Sequence, residues 1–157
     1  MSDLPNNSFS SAIHSSSKLL FLEEMTALPG DWSNHLRSLH IEHVSPSALV
    51  SLEICRRSPL GQTAELAMQR GTSVPAETIV ALMRRWFVAR KPDAGFALTG
   101  FPATLLQARI FDEWLDARDE SLDAVIASSP ASSSDLVNYY RTHGLLLEPA
   151  VGYASRP

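Results

Sequence analysis

The chain has one cysteine, Cys55, among 157 residues. That excludes an intramolecular disulfide and a metal site built from several thiolates, and it implies a reducing, cytoplasmic setting. Basic residues are also few. Thirteen Lys and Arg against seventeen Asp and Glu leave a net charge of -4 and an isoelectric point near 5.7. A nucleic-acid binder held by phosphate contacts needs a basic face, and a polybasic membrane anchor needs clustered cations, so both readings are disfavoured. Long apolar runs are absent: none approaches the roughly 20 residues that span a bilayer. The opening MSDLPNNSFSSAIHSSS lacks the charged start and apolar middle of a secretory signal, and a transit peptide would want Arg where this stretch has only Asp3.

Enough apolar material remains for a core, at 45 % of the residues, and the length corresponds to one domain. Residues 1–17, rich in Ser and Asn, are expected to form a flexible arm because they bury too little to offset their ordering entropy. Lys18 to Leu22 is a short apolar run, the mark of a strand buried on both faces. Asp31 or Ser33 is placed to cap a helix reaching about Leu39, and Ile41 to Val44 forms a second strand. Ser45-Pro46 and Ser58-Pro59 each read as a helix cap followed by proline at the first helical position. The first of these helices carries Ala48, Leu49, Leu52 and Ile54. The second carries Leu60, Ala64, Ala67 and Met68 and stops at Gly71.

A third helix begins at Val74-Pro75, with Ile79, Leu82, Met83 and Trp86 at helical spacing. Gly95 to Leu98 is a strand, Gly100-Phe101-Pro102 a turn, and the helix after it carries Leu105, Leu106, Ala108, Ile110, Trp114 and Leu115. Leu122 to Ile126 is a fourth strand. The polar SSPASSSD leads to a last helix near Asp135 to Gly144, and residues 151–157 form a tail. Short apolar strands alternating with helices predict an α/β fold, a three-layer sandwich with a short, mostly parallel sheet flanked by helices.

Three stretches together resemble the adenylate kinase family of nucleoside monophosphate kinases, which have the P-loop fold. Gly95-Phe96-Ala97-Leu98-Thr99-Gly100-Phe101-Pro102-Ala103-Thr104, followed by Gln107-Ala108, is similar to the family signature GF-[ILV]-L-DGFPRT-x-x-QA. Ser58-Pro59-Leu60-Gly61 through Gly71, then Val74-Pro75 and Glu77, resembles the segment that folds over the monophosphate, and places a monophosphate-binding-like helical segment at about 45–90. Leu122 to Ile126 resembles the strand after the signature helix. The resemblance spans roughly 18–150, with Lys18–Leu22 similar to the family's first strand and Tyr139-Tyr140 through Pro149 to its last helix.

The resemblance also implies what is missing. Where the family has a Gly-rich loop with a lysine, this chain reads Glu23-Glu24-Met25-Thr26-Ala27-Leu28-Pro29-Gly30-Asp31. One glycine remains, Pro29 offers no N–H, and three carboxylates stand where polyphosphate would lie. Ala103 replaces the signature arginine and Thr99 its aspartate. The Thr-Gly-Asp after the second strand is Pro46-Ser47-Ala48, and the arginine beyond it is Ser51. The arginine-rich lid is reduced to Ala127–Ser134, and the family's last strand, which would follow Pro157, is missing. No catalytic residue, metal or cofactor follows from this pattern.

What is retained points to AMP or another nucleoside monophosphate, through Thr72, Ser73 and Val74 and through Gly100, Phe101, Pro102 and Gln107. A structural account competes, since a Gly-Phe-Pro turn is reason enough for a strand-to-helix connection and Gln107 can face solvent. Two expectations follow. One is a domain that has lost phosphotransferase activity and acts as a nucleotide-binding remnant or protein-interaction module. The alternative is an active kinase using ATP and Mg, in which Arg56, Arg57, Arg84 and Arg85 neutralise the phosphates. Several other features have plain readings. His40 and His43 flank a strand and point to opposite sides, Cys55 is a semi-buried helical residue, and Trp32, Trp86 and Trp114 are core anchors. Arg84-Arg85 and Arg90-Lys91 around Trp86 and Phe87 form a basic-aromatic patch, read first as a solvated helix face and otherwise as the best candidate for a protein contact or an acidic ligand.

Overall fold

The structure is a computed structural model and describes residues 13–22, 30–127 and 134–147, with the side chains of 31–33 left aside. Its elements in chain order are β1 (Lys18–Leu22), α1 (Gly30–Ser38), β2 (Glu42–Val44), α2 (Pro46–Arg56), α3 (Pro59–Gln69), α4 (Ala76–Ala89), β3 (Phe96–Thr99), α5 (Leu105–Ala117), β4 (Ala124–Ala127), α6 (Asp135–Thr142) and β5 (Leu146–Leu147). The strands form one sheet in the order β2-β3-β1-β4-β5. β1 pairs in parallel with β3, Leu20 opposite Leu98, and with β4, Leu20 opposite Val125. β5 pairs in parallel with β4, Val125 opposite Leu146.

The chain divides into two compact units, one formed by Val44–Lys91 and the other by the segments on either side of it. In the sheet-bearing unit, alternate residues of each strand supply the two faces. Leu19, Phe21, Ala97, Ala124 and Ile126 share one face and pack with Leu36 of α1, Ile41 and Ile13. On the other face Phe96 meets Phe111 of α5 edge-on at 6.1 Å. Helix, sheet and helix therefore make three layers, as the run of apolar strands predicts. Beside α5, the Tyr139 hydroxyl of α6 donates to the Asp112 carboxylate.

Helix starts are where the local signals place them. Ser45 Oγ accepts from Ala48 N, Ser58 Oγ from Gly61 N, Thr104 Oγ1 from Gln107 N and Ser134 Oγ from Val137 N. Each such cap contributes about 1 kcal/mol. In the Val44–Lys91 unit, Val50, Ala64 and Leu82 form the core, with Leu49, Ile54, Leu60, Val74 and Ile79 packed on it. Helices α2 and α3 approach closely at Gly61, where a Cβ would lie 2.2 Å from the Glu53 carbonyl oxygen.

Several expectations change. At the end of the opening arm Ile13 is 6 % exposed and belongs to the core, and Ser17 is buried with its N–H donating to the His14 carbonyl, while residues 14–16 are exposed. β3 runs one residue beyond Leu98 to include Thr99, and β4 starts at Ala124 rather than Leu122. A fifth strand, Leu146–Leu147, lies directly after the last helix and was not anticipated. On α2 the buried residues are Val50 and Glu53, while Leu52 is exposed. Cys55 is exposed, not semi-buried. The loop at 23–29, most of the opening arm and the tail lie outside the described residues.

Candidate functional site

The strand order reverses direction about β1, with β2 and β3 on one side and β4 and β5 on the other. Open α/β sheets bind ligands in the crevice outside the carboxyl ends of their strands at such a point. A cleft of about 370 Å³ lies there, lined by Gly100, Pro102, Ala103, Thr104 and Leu105 after β3 and by Ser134, Asp135 and Leu136 at the start of α6. Its volume is in the range of small-molecule sites. Among the described residues no Lys or Arg lines it, and Asp135 contributes a carboxylate. The segments 23–29 and 128–133, which follow β1 and β4, also contain no Lys or Arg.

The signature turn is built into the core. Gly100 has φ +80°, which a glycine adopts without strain, and the Phe101–Pro102 peptide is cis. Phe101 is fully buried and stacks on Trp114 at 5.9 Å, while its ring meets Phe111 edge-on. Burying such a ring contributes about 1.5–3 kcal/mol, so Phe101 anchors the turn and does not line the cleft. Gln107 does not face solvent: it is 9 % exposed, and its Oε1 accepts from Ala103 N at 2.8 Å. With Thr104 as N-cap, the pair forms a variant of the capping box. The motif Thr-x-x-Gln was the available signal for this role.

Thr99, where the signature has aspartate, is fully buried, and its Oγ1 lies 2.9 Å from His43 Nε2. Partial burial lowers the His43 pKa below its usual value. His40 sits before the strand in a left-handed turn, φ 61°, rather than on it. Among the described residues no three His, Cys, Asp or Glu side chains come together as a metal-binding group.

Thr72, Ser73 and Val74 belong to the other unit. Thr72 completes a Schellman motif after α3: its N–H and its hydroxyl both donate to the Ala67 carbonyl, with Gly71 at φ +75° before it. Val74 packs on that unit's core. Of the four arginines that could neutralise phosphate, Arg85 and Arg56 both pair with the Glu53 carboxylate, at 3.0 and 3.4 Å. Arg57 is the left-handed residue that ends α2. Arg90 stacks over Phe87, its guanidinium carbon 4.3 Å from the ring centre, so the basic-aromatic patch is partly a folded-in cation–π contact.

A parallel sheet of this order defines an open α/β domain with a cleft at its carboxyl edge, at the topological switch point. Comparison with known proteins specifies it further. The chain is 41 % identical over 88 residues to the adenylate kinase of Moorella thermoacetica, an overlap of 56 % of this chain and 41 % of that protein. It is 32 % identical over 110 residues to the adenylate kinase of Prochlorococcus marinus, covering 69 % and 59 % respectively. The adenylate kinase of Streptomyces coelicolor is 35 % identical over 89 residues, covering 57 % and 41 %. The chain is thus a relative of the adenylate kinases, and it spans about half the length of the curated relatives it matches. No family model matches it. No helix among the described residues is long and apolar enough to cross a membrane.

Proposed function

We propose that this chain is an adenylate-kinase-like domain without phosphotransferase activity, a pseudoenzyme that binds rather than phosphorylates. Its ligand is AMP or another nucleoside monophosphate, or it serves as a protein-interaction module. It works in the cytoplasm and needs no cofactor. The unit Val44–Lys91 corresponds to the monophosphate-binding segment expected at about 45–90. Gly100 and Pro102, which line the cleft, are with Gln107 the remnant of the monophosphate site.

The observation that carries this reading is the cleft at the carboxyl edge of the sheet, which presents Ala103 and Asp135 but no cation among the described residues. Phosphoryl transfer is catalysed almost entirely by positioning and charge neutralisation. Each hydrogen bond to a charged group contributes about 1.5–3 kcal/mol. Losing two or three of them removes roughly 10²–10⁷ in rate. Residues Glu23 to Asp31, a degenerate Walker-type loop without lysine, and the short Ala127-to-Asp135 connection without arginine support the same conclusion.

The competing reading is an active nucleoside monophosphate kinase using ATP and Mg with nonstandard arginines. Arg56 and Arg85 are committed to Glu53 within their own unit, which counts against it. A coupled assay of the full chain with ATP, Mg and AMP is expected to give no turnover. A rate in the ordinary kinase range of about 1–100 s⁻¹ would overturn the proposal.

A further inference from the structure

We infer that the cleft at Gly100–Leu105 and Ser134–Leu136 takes an uncharged nucleoside in preference to any nucleotide. This rests on the reading above only in that the chain binds without phosphorylating and the cleft descends from a nucleotide site; for the ligand it puts the nucleoside in place of the monophosphate named there. It goes further in naming the ligand's charge and the residue that selects it.

A phosphate is held at the carboxyl edge of such a sheet by backbone N–H groups at helix starts and by cations. The second is missing and the first is reduced. The cleft is flanked by the starts of α5 and α6, and at each start one donor is taken by the helix's own cap residue. Ala103 N donates to Gln107 Oε1 at 2.8 Å, Gln107 N to Thr104 Oγ1 at 3.1 Å, and Val137 N to Ser134 Oγ at 3.2 Å. No cation lines the cleft among the described residues, and neither 23–29 nor 128–133 contains one. Among the described residues the one charged lining group is Asp135, an exposed carboxylate in the first turn of α6. It already occupies the place where a helix start favours negative charge.

What is left suits a neutral ligand with an apolar face and hydroxyl donors. Pro102, Leu105 and Leu136 supply the apolar wall. Asp135 supplies an acceptor for hydroxyls, the role a carboxylate plays toward the ribose in dinucleotide sites. The same carboxylate repels each added phosphate, with no cation among the described lining residues to offset it. Among ligands related to those of the adenylate kinases, this combination selects the nucleoside.

Calorimetric titration of the full chain with adenosine, AMP, ADP and ATP at low salt tests this. Adenosine is expected to bind most tightly, with affinity falling several-fold on adding the first phosphate. Ala103→Arg restores a cation at an exposed lining position. It should raise AMP affinity by about ten-fold or more and leave adenosine nearly unchanged. Asp135→Asn should weaken adenosine several-fold and narrow its advantage over AMP. If Asp135→Asn fails to fold, Ala103→Arg still decides. AMP or ATP binding more tightly than adenosine to the unmodified chain would overturn the inference, and so would no adenosine binding up to about 10 mM. Either result without kinase turnover leaves the loss of phosphotransferase activity standing, whereas turnover removes that reading instead.

Discussion

The Glu53 carboxylate lies 3.0 Å from the Arg85 guanidinium, joining α2 to α4 inside the Val44–Lys91 unit. Glu53 is only 5 % exposed, and Arg56 reaches its second oxygen at 3.4 Å. The Ser58 hydroxyl at the start of α3 also bonds to this carboxylate and is the largest of the influences that lower its pKa, ahead of the two arginines. One acidic side chain thus ties three helices together and draws on two cations that a phosphate site would otherwise need.

Glu53→Gln should lower stability by about 1 kcal/mol at neutral pH, a modest figure because both guanidiniums are more than half exposed and screened. The Glu53 pKa is depressed in the folded state, so its contribution is complete above the unfolded value near 4.5. It decays as pH falls through the lower folded value. Denaturant unfolding of both proteins from pH 7 to pH 3 should show the gap closing on the acid side. A gap independent of pH would remove the ionic role of Glu53.

Two glycines should respond differently to alanine. At Gly61 the new Cβ would meet the Glu53 carbonyl oxygen at 2.2 Å and Ile54 N at 2.8 Å, both backbone atoms. Helices α2 and α3 must separate, and the cost should lie toward the upper end of about 1–3 kcal/mol. At Gly71 nothing lies within 4 Å, but φ is +75°, so Gly71→Ala should cost about 1 kcal/mol from backbone strain alone. Equal losses for the two would contradict the close approach.

Arg57 offers the reverse case. It ends α2 in the left-handed conformation, φ 57°, while its side chain is exposed. Arg57→Gly keeps the two backbone bonds that close the helix and should raise stability by about 0.5–1 kcal/mol in thermal unfolding. A loss of stability would mean that the guanidinium makes a contact that outweighs the strain.

These positions also mark what the sequence made legible. Ser45-Pro46 and Ser58-Pro59 announce helices because a cap is a local interaction that needs no partner elsewhere in the chain. The Lys18–Leu22 run announces a central strand for a similar reason, since burial on both faces removes any alternation. Glu53 was not legible: on a helical pattern it reads as a solvent-facing charge, and its burial is tolerable because Arg85, from 32 residues away, joins Arg56 and Ser58 at its carboxylate. Leu146–Leu147 is two residues long and acquires strand geometry only from β4 beside it. The signature turn was legible as a motif, but its roles in this chain were not. Phe101 could be assigned to the core only once Trp114 and Phe111 were seen against it.

Gln107 separates structure from recognition within a single side chain. Its Oε1 is used by Ala103 N, so stability depends on the acceptor. Recognition of a base by Gln107 can then come only from its Nε2 donor. Gln107→Glu keeps an acceptor and removes the donor, whereas Gln107→Leu removes both. Glu should leave unfolding free energy within about 0.5 kcal/mol of the unmodified chain, and Leu should lower it by about 1–2 kcal/mol, the cost of leaving a partner unanswered. Nucleoside affinity measured on the same proteins should fall several-fold in both. If the Glu variant binds as well as the unmodified chain, Gln107 is a capping residue alone and has no part in the proposed monophosphate remnant. If the Leu variant is as stable as the unmodified chain, the bond to Ala103 contributes nothing to holding the turn.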